Sequence, residues 1–270
     1  MGALDRGALK LGRLLCALSV LGFLQTRGAL CTTIVGARTE AEVVISADSK
    51  VDVRFDGQSI GHIVGCKIFA VGGILVANSG HPVIGGFSLR DLALAHLSGG
   101  GAPLARVNGF YSALSTQLRK ALATTKEQRP AMFDSLVGAG VPVLALIVAY
   151  WDSNGPVIEF IHYDSKIESE SKVRAGVSVQ SHLRTCPGYC KAPEVPYFAA
   201  AGSLAAVRGM LLRKEPTSPA RLPALLQEMV ETEIKADPAN VGGPVSTVIL
   251  DSTGPHWFQD QHGACPAELN

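Results

Sequence analysis

The sequence predicts an α+β fold: two antiparallel sheets packed on each other with helices on their outer faces, a four-layer α-β-β-α sandwich. Three observations lead there. Strand-like segments come in pairs joined by short turns, helical segments also come in pairs, and no single strand alternates with a helix as a parallel sheet would require. With 47% hydrophobic and 17% charged residues in 270, the chain can fill one sizeable core. No internal repeat, low-complexity tract or linker divides it, so residues 32–270 read as one domain.

Residues 32–38 and 43–47 are β-branched runs joined by the short polar turn 39–42, a hairpin pattern. Residues 63–71 and 74–77 form a second expected hairpin, turning at Gly72 and Gly73. From His81 to about Ala123 the period becomes helical: Leu89, Leu92 and His96 share one face, and Phe110, Leu114, Leu118 and Leu122 recur at four-residue steps. Segments 141–151 and 157–162 flank Asp152-Ser-Asn-Gly155, and Asn-Gly tolerates the positive φ of a tight hairpin. Segments 203–212 and 222–234 are helical again, and strands at 244–250 and around Trp257 close the chain.

The first 31 residues have the marks of a secretory signal peptide. Arg6, Lys10 and Arg13 precede an eleven-residue apolar run, 14–24, and Ala29 and Cys31 supply small residues at −3 and −1 of a cleavage site after Cys31. Eleven apolar residues are short for a membrane span of about 20. An exported protein, periplasmic or secreted, is expected, with no membrane attachment after cleavage. Six cysteines then become four: Cys66, Cys186, Cys190 and Cys265. An even count in an oxidising compartment suggests disulfides. Cys186 could close on Cys190 across a turn, or one of the two could reach Cys265. A zinc site lacks a second Cys pair or a closely spaced His pair, so neither metal nor cofactor is expected. Net charge is +1 with no long basic run, which argues against a nucleic-acid partner held by phosphate neutralisation.

Two charged residues sit oddly. Asp48 ends the apolar run 43–47, and Lys67 interrupts the apolar run 63–71. A lysine inside an apolar strand is costly to bury unless it is paired; on an edge strand it could simply face solvent, and Asp48 alone could be a turn residue. Cleavage after Cys31 changes their meaning. It leaves Thr32 with a hydroxyl nucleophile and, in its own α-amine of reference pKa ~7.7–8.0, a base. A nearby Lys67 ammonium would favour the neutral amine and the developing alkoxide, and the Asp48 carboxylate would hold that lysine in place.

These residues carry a resemblance. Thr32-Thr-Ile-Val-Gly followed by Ala47-Asp48-Ser-Lys resembles the opening of proteasome β-subunits and of the bacterial protease subunit HslV, members of the N-terminal-nucleophile (Ntn) hydrolase family, whose Asp also stands sixteen residues after the N-terminal Thr. Lys67 matches the family lysine with a connection three residues longer. Ala77-Asn-Ser-Gly80 resembles the turn whose Gly amide helps form the oxyanion hole, so Gly80 is the implied donor. Residues 198–203 resemble the Gly-Ser segment before a later helix, which implies Ser203, although a helix N-cap explains that serine equally well. Val241-Gly-Gly resembles the family's Ser-Gly-Gly, with Val241 in place of the serine. The family's late Asp falls on Pro238, with Asp237 one place off.

The resemblance covers nearly all of residues 32–260. It implies the Ntn fold, a threonine-type peptidase or amidohydrolase acting on a peptide or amide through Thr32, Asp48, Lys67, Gly80 and Ser203, and a homo-oligomeric ring. The family's self-cleaved propeptide usually ends in Gly, so Cys31 points to signal peptidase as the processing enzyme. Two alternatives differ in class. Were Cys31 the first residue, the chain would resemble the cysteine amidases of the choloylglycine hydrolase and penicillin V acylase group, though that group's Arg near the second strand is missing. The altered supporting residues would suit a non-catalytic, proteasome-like ring subunit. No HExxH or GxSxG motif is present, and Gly99-Gly-Gly101 lacks the Lys-Ser/Thr of a phosphate loop. His81, Trp151 and Trp257 read as packing residues.

Overall fold

A computed structural model describes residues 32–55, 58–137, 141–167, 177–188, 190, 196–212, 218–260 and 262–269. The expected signal segment 1–31, with Arg6, Lys10, Arg13, Cys16 and Cys31, lies outside the described residues.

The first hairpin forms as expected, β1 (Thr33–Arg38) with β2 (Val43–Ala47), and Thr39 closes its turn by accepting at Oγ1 from the Ala41 and Glu42 amides. β1 and β2 join β12 (Tyr197–Gly202), β13 (Ser246–Asp251) and β14 (Gly254–Trp257) in a five-stranded antiparallel sheet of order β12-β1-β2-β13-β14. A second five-stranded sheet has the order β11-β10-β9-β6-β5, built from β5 (Ile68–Val71), β6 (Ile74–Gly80), β9 (Leu144–Asp152), β10 (Gly155–Ile167) and β11 (Val177–Cys186). β9 is central, and its first seven residues are all buried, so its sequence is continuously apolar rather than alternating.

The four-layer sandwich of two sheets is corrected by this topology: among the described residues the strands make four separate antiparallel sheets. β3 (Lys50–Phe55) pairs only with β4 (Gln58–Val64), and β7 (Val83–Ile84) only with β8 (Phe87–Ser88). The physical reason is clearest at 63–71, expected as one strand. Val64 pairs back to Lys50 and the Gly65 amide bonds Ser49 O, whereas Ile68 turns into the second large sheet opposite Ala77. The chain parts between two sheets, and Lys67 stands at the parting rather than inside a strand. Ile60, Ile63 and Val64 of β4 stay exposed, so little apolar burial ties this hairpin to either large sheet.

The helices are α1 (Leu89–Leu97), α2 (Pro103–Gln128), α3 (Pro130–Val137), α4 (Ala205–Leu212) and α5 (Leu222–Ala236). Ser88 caps α1 by accepting from the Asp91 amide, and Pro103 opens α2 where a missing N–H costs nothing. The expected helix start at Ser203 moves to Ala205, because residues 197–202 are strand. Three apolar clusters follow. One joins Ile34, Ile45 and Val248 of the first large sheet to Leu75, Ile147 and Ile158 of the second. A second buries Val76, Leu146 and Tyr150 against Phe110, Leu114 and Leu118 of α2. The third packs Val35 and Val44 on Val207, Leu226 and Val230 of α4 and α5. Disulfides link Cys66 to Cys265 and Cys186 to Cys190, so Cys186 closes its own turn and Cys265 reaches the residue beside Lys67. Among the described residues no helix is long and apolar enough to cross a membrane.

Candidate functional site

Antiparallel pairing of β1 with β2 opposes Ile34 to Ala47, so the residue entering β1 and the residue leaving β2 meet. Those residues are Thr33 and Asp48, bonded backbone to backbone and through the Asp48 carboxylate, and Thr32 is the next residue back along the chain. Lys67 arrives from the other large sheet, one residue before β5, with its carbonyl fixed by the Asn78 amide at 3.0 Å. Its Nζ donates to Thr32 Oγ1 at 2.7 Å and forms an ion pair with Asp48 Oδ1 at 2.8 Å. Thr32 is 4% exposed, Lys67 4% and Asp48 1%. The lysine placed oddly in the sequence is therefore buried and paired, and its partner is the carboxylate that also looked out of place.

Asp48 is satisfied on both oxygens. Oδ1 accepts the Thr33 amide at 2.7 Å besides Lys67, and Oδ2 accepts the amides of Lys50 at 3.1 Å and Gly242 at 3.2 Å. Charge-assisted bonds to backbone donors are about twice as strong as neutral ones, and here they fasten the start of β1, the lysine and the 242 loop to one group. Gly242 of the Gly-Gly segment delivers the N–H, and a Cβ on it would lie 3.2 Å from the Lys50 side chain. Val241, standing where the resemblance would put a serine, is buried at 1% and serves as packing.

Ser203 is brought to Thr32 through its backbone. Its amide donates to Thr32 O at 2.7 Å and its carbonyl accepts from Thr33 Oγ1 at 2.7 Å. Its hydroxyl turns the other way, 2.8 Å from Asp237 Oδ2 and 3.0 Å from Glu233 Oε1. The N-cap reading of Ser203 does not hold, because Glu233 on α5 takes that role, accepting the amides of Ala205, Ala206 and Val207 at the start of α4. Of Asp237 and Pro238, it is Asp237 whose side chain reaches Ser203. Asp237 ends α5 and meets Ser203, while the Pro238 carbonyl accepts from Lys50 Nζ at 2.9 Å.

Gly80 ends β6 opposite Leu144 with φ +97, and a Cβ there would stand 2.5 Å from Val143 O. Glycine is required by both backbone conformation and space. The preceding Ser79 is fully buried, and its hydroxyl has no hydrogen-bond partner among the described residues. It points to the junction with Thr32: a Cβ added at Gly202 would lie 1.9 Å from Thr32 O and 3.1 Å from Ser79 Oγ. Ser79 and Glu233 were missed from sequence, and Asp237 was noted one place off the match. Ser79 could have been read from the alternation of β6, which puts it on the same face as Leu75 and Ala77. His81 lies just beyond β6, its amide bonded to Val143 O.

No protein-family model matches the sequence, and no curated protein matches it.

Proposed function

We propose that this protein is an exported threonine-type amide hydrolase, made active when removal of residues 1–31 frees the Thr32 amine. The observation that supports it most is the buried line Thr32 Oγ1, Lys67 Nζ, Asp48 Oδ1, with contacts of 2.7 and 2.8 Å. A lysine so placed stabilises negative charge developing on the threonine oxygen, in a site from which water is largely excluded. The two disulfides suit the oxidising compartment that export reaches.

In the precursor the Thr32 nitrogen is an amide and cannot accept a proton. After cleavage it is an amine beside its own hydroxyl. On this reading the amine takes the Oγ1 proton as Oγ1 attacks the substrate carbonyl, and the Gly80 N–H is the assigned donor to the oxyanion. The amine then passes the proton to the leaving nitrogen, and an acyl ester remains on Thr32. Water, deprotonated by the same amine, attacks the ester, and the proton returns to Oγ1 as the acid leaves. Peptides and simple amides are the substrate class, and the ring assembly implied by the resemblance belongs to the same proposal.

The test begins with the intact mass and N-terminal sequence of the protein secreted by its host. A start at Thr32, turnover of fluorogenic peptide amides, and loss of that turnover in Thr32→Ala with an unchanged melting temperature are expected. A start at Cys31 with activity retained would move the nucleophile to that cysteine. Full activity in Thr32→Ala, or an uncut active chain, would overturn the proposal.

A further inference from the structure

On the second large sheet, antiparallel pairing sets His162 of β10 directly opposite His182 of β11, with Asp164 two residues along β10 on the same face. The two imidazoles stack with centroids 4.8 Å apart and planes at 17°. Both Nε2 atoms approach one carboxylate oxygen: Asp164 Oδ2 lies 3.6 Å from His162 Nε2 and 3.4 Å from His182 Nε2. The three donor atoms all lie within 4.8 Å of one another.

We propose that His162, Asp164 and His182 form a binding site for a divalent transition-metal ion of the zinc class. Zinc–nitrogen and zinc–oxygen bonds of about 2.0–2.2 Å set tetrahedral ligand–ligand edges near 3.4 Å. The two edges to Asp164 are already close to that length, and small side-chain rotations shorten the nitrogen–nitrogen edge. Two imidazoles and one carboxylate suit Zn²⁺ or Co²⁺ and not Ca²⁺ or Mg²⁺, which take oxygen ligands. Three protein ligands leave the fourth position open, as in catalytic rather than structural zinc sites. Neutral imidazole is the ligating form. Arg184 adds positive charge beside the site, so the open position takes an anionic oxygen donor, hydroxide or a carboxylate.

The site shares a face with the Thr32 junction. Ser79, Ala145, His162 and His182 form one row across β6, β9, β10 and β11, and two strand spacings put His162 about 10 Å from Ser79. Metal binding does not depend on the Thr32 reading, and the experiment keeps them apart. Untagged full-length secreted protein, stripped with chelator, is titrated with Co²⁺ and followed by visible absorption, then with Zn²⁺ by calorimetry. One equivalent per chain with a tetrahedral cobalt spectrum is expected. Losing an outer-shell partner alone costs 10–100-fold in affinity, so His182→Ala and Asp164→Asn should each weaken binding at least about 100-fold. His182 has a half-exposed side chain, and circular dichroism checks that the variant folds. His256→Ala, an exposed control outside the cluster, should bind like the parent. No saturable binding of either ion, or binding unchanged in His182→Ala and Asp164→Asn, would overturn the proposal.

Discussion

Asp48 and Lys67 can be separated by a double-variant cycle read in stability alone, with no substrate needed. Asp48→Asn takes the counter-charge from an ammonium that is 4% exposed and leaves it the Thr32 hydroxyl, a neutral acceptor, at 2.7 Å. Breaking a buried pair from the acid side costs about 3–5 kcal/mol. The asparagine NH₂ also faces the Lys50 and Gly242 amides, donor against donor, if its oxygen stays on Thr33 N. Lys67→Met is the milder change. The carboxylate it leaves still accepts three backbone amides, those of Thr33, Lys50 and Gly242, and methionine fills much of the lysine volume, so at most about 2 kcal/mol is lost. The double variant has no buried charge at this place. It should be more stable than Asp48→Asn alone, with a coupling of about 1–3 kcal/mol. Urea unfolding with disulfides intact measures all four proteins, and near-equal slopes confirm that the same surface is exposed. A double variant whose loss equals the sum of the singles, or a Lys67→Met less stable than Asp48→Asn, would refute the assignment of Asp48 as the group that makes burial of Lys67 tolerable. On the threonine reading the singles and the double are all inactive, so stability and turnover part company in the double variant.

Three further outcomes follow from other parts of the molecule. Gly202→Ala would drive a Cβ to 1.9 Å from Thr32 O at φ +99, so misfolding or loss of activity is expected, whereas Gly209→Ala, inside α4 with nothing within 4 Å of its Cβ, should raise the melting temperature through a gain of up to about 1 kcal/mol; equal behaviour of the two would contradict the close approach at Thr32. Replacing Cys66 and Cys265 with serine opens a loop spanning 199 residues, a change worth about 5 kcal/mol on the chain-entropy account, and the denaturant midpoint should fall far more than in the matching Cys186 and Cys190 pair, four residues apart. Glu159 is 2% exposed beside Tyr111, Tyr150 and Thr185, and its burial pushes the carboxyl upward from 4.5 despite those hydrogen bonds. The folded state then holds the proton more tightly than the unfolded state, so stability falls as pH rises from about 4.5 through the raised value. Melting temperatures of Glu159→Gln against the parent across that window should show the decline only in the parent, and parallel curves would reject it.

The parts of the site that were legible in sequence are those where local pattern carries the chemistry. Asp48 and Lys67 stood out because charge breaks an apolar run at little distance from a strand end, and burial then forces such charges to find each other. Asp237 was legible only to within one place. The match lands on Pro238, but α5 runs to Ala236 and its last turn closes with the Asp237 amide on Glu233 O, so helix phase decides which residue faces Ser203. β11 was missed because Ser178, Gln180, Ser181 and Arg184 give it the polar content of an edge strand, and β12 because three alanines carry little strand signal. Missing β11 also hid the pairing of His162 with His182, twenty residues apart in sequence and neighbours only through register. The count of sheets failed for a related reason: nothing in the composition of residues 50–64 says that the segment pairs with itself and leaves the chain to part at Lys67.

On the threonine reading, that parting explains how Lys67 could be positioned before the nucleophile is complete. Thr32 Oγ1 is within 2.7 Å of Lys67 Nζ with the 31–32 peptide bond still in the chain. Three backbone and side-chain bonds hold Thr32 and its neighbour Thr33 on the C-terminal side. The Thr32 carbonyl is held by the Ser203 amide, the next amide by Asp48, and the next hydroxyl by the Ser203 carbonyl. None of these three bonds involves the Thr32 nitrogen. On the threonine reading, cleavage changes one functional group, an amide into an amine, and leaves the other distances in place. On that same proposal the precursor has the nucleophile and its electrostatic support but no base, so it is inert until cleavage. The arrangement also concentrates the consequences of mutation. On the threonine reading, a substitution that loosens Ser203 or Asp48 disturbs a preformed geometry, whereas one that blocks cleavage leaves that geometry intact and abolishes turnover, a distinction visible by comparing stability with turnover in the two classes of variant.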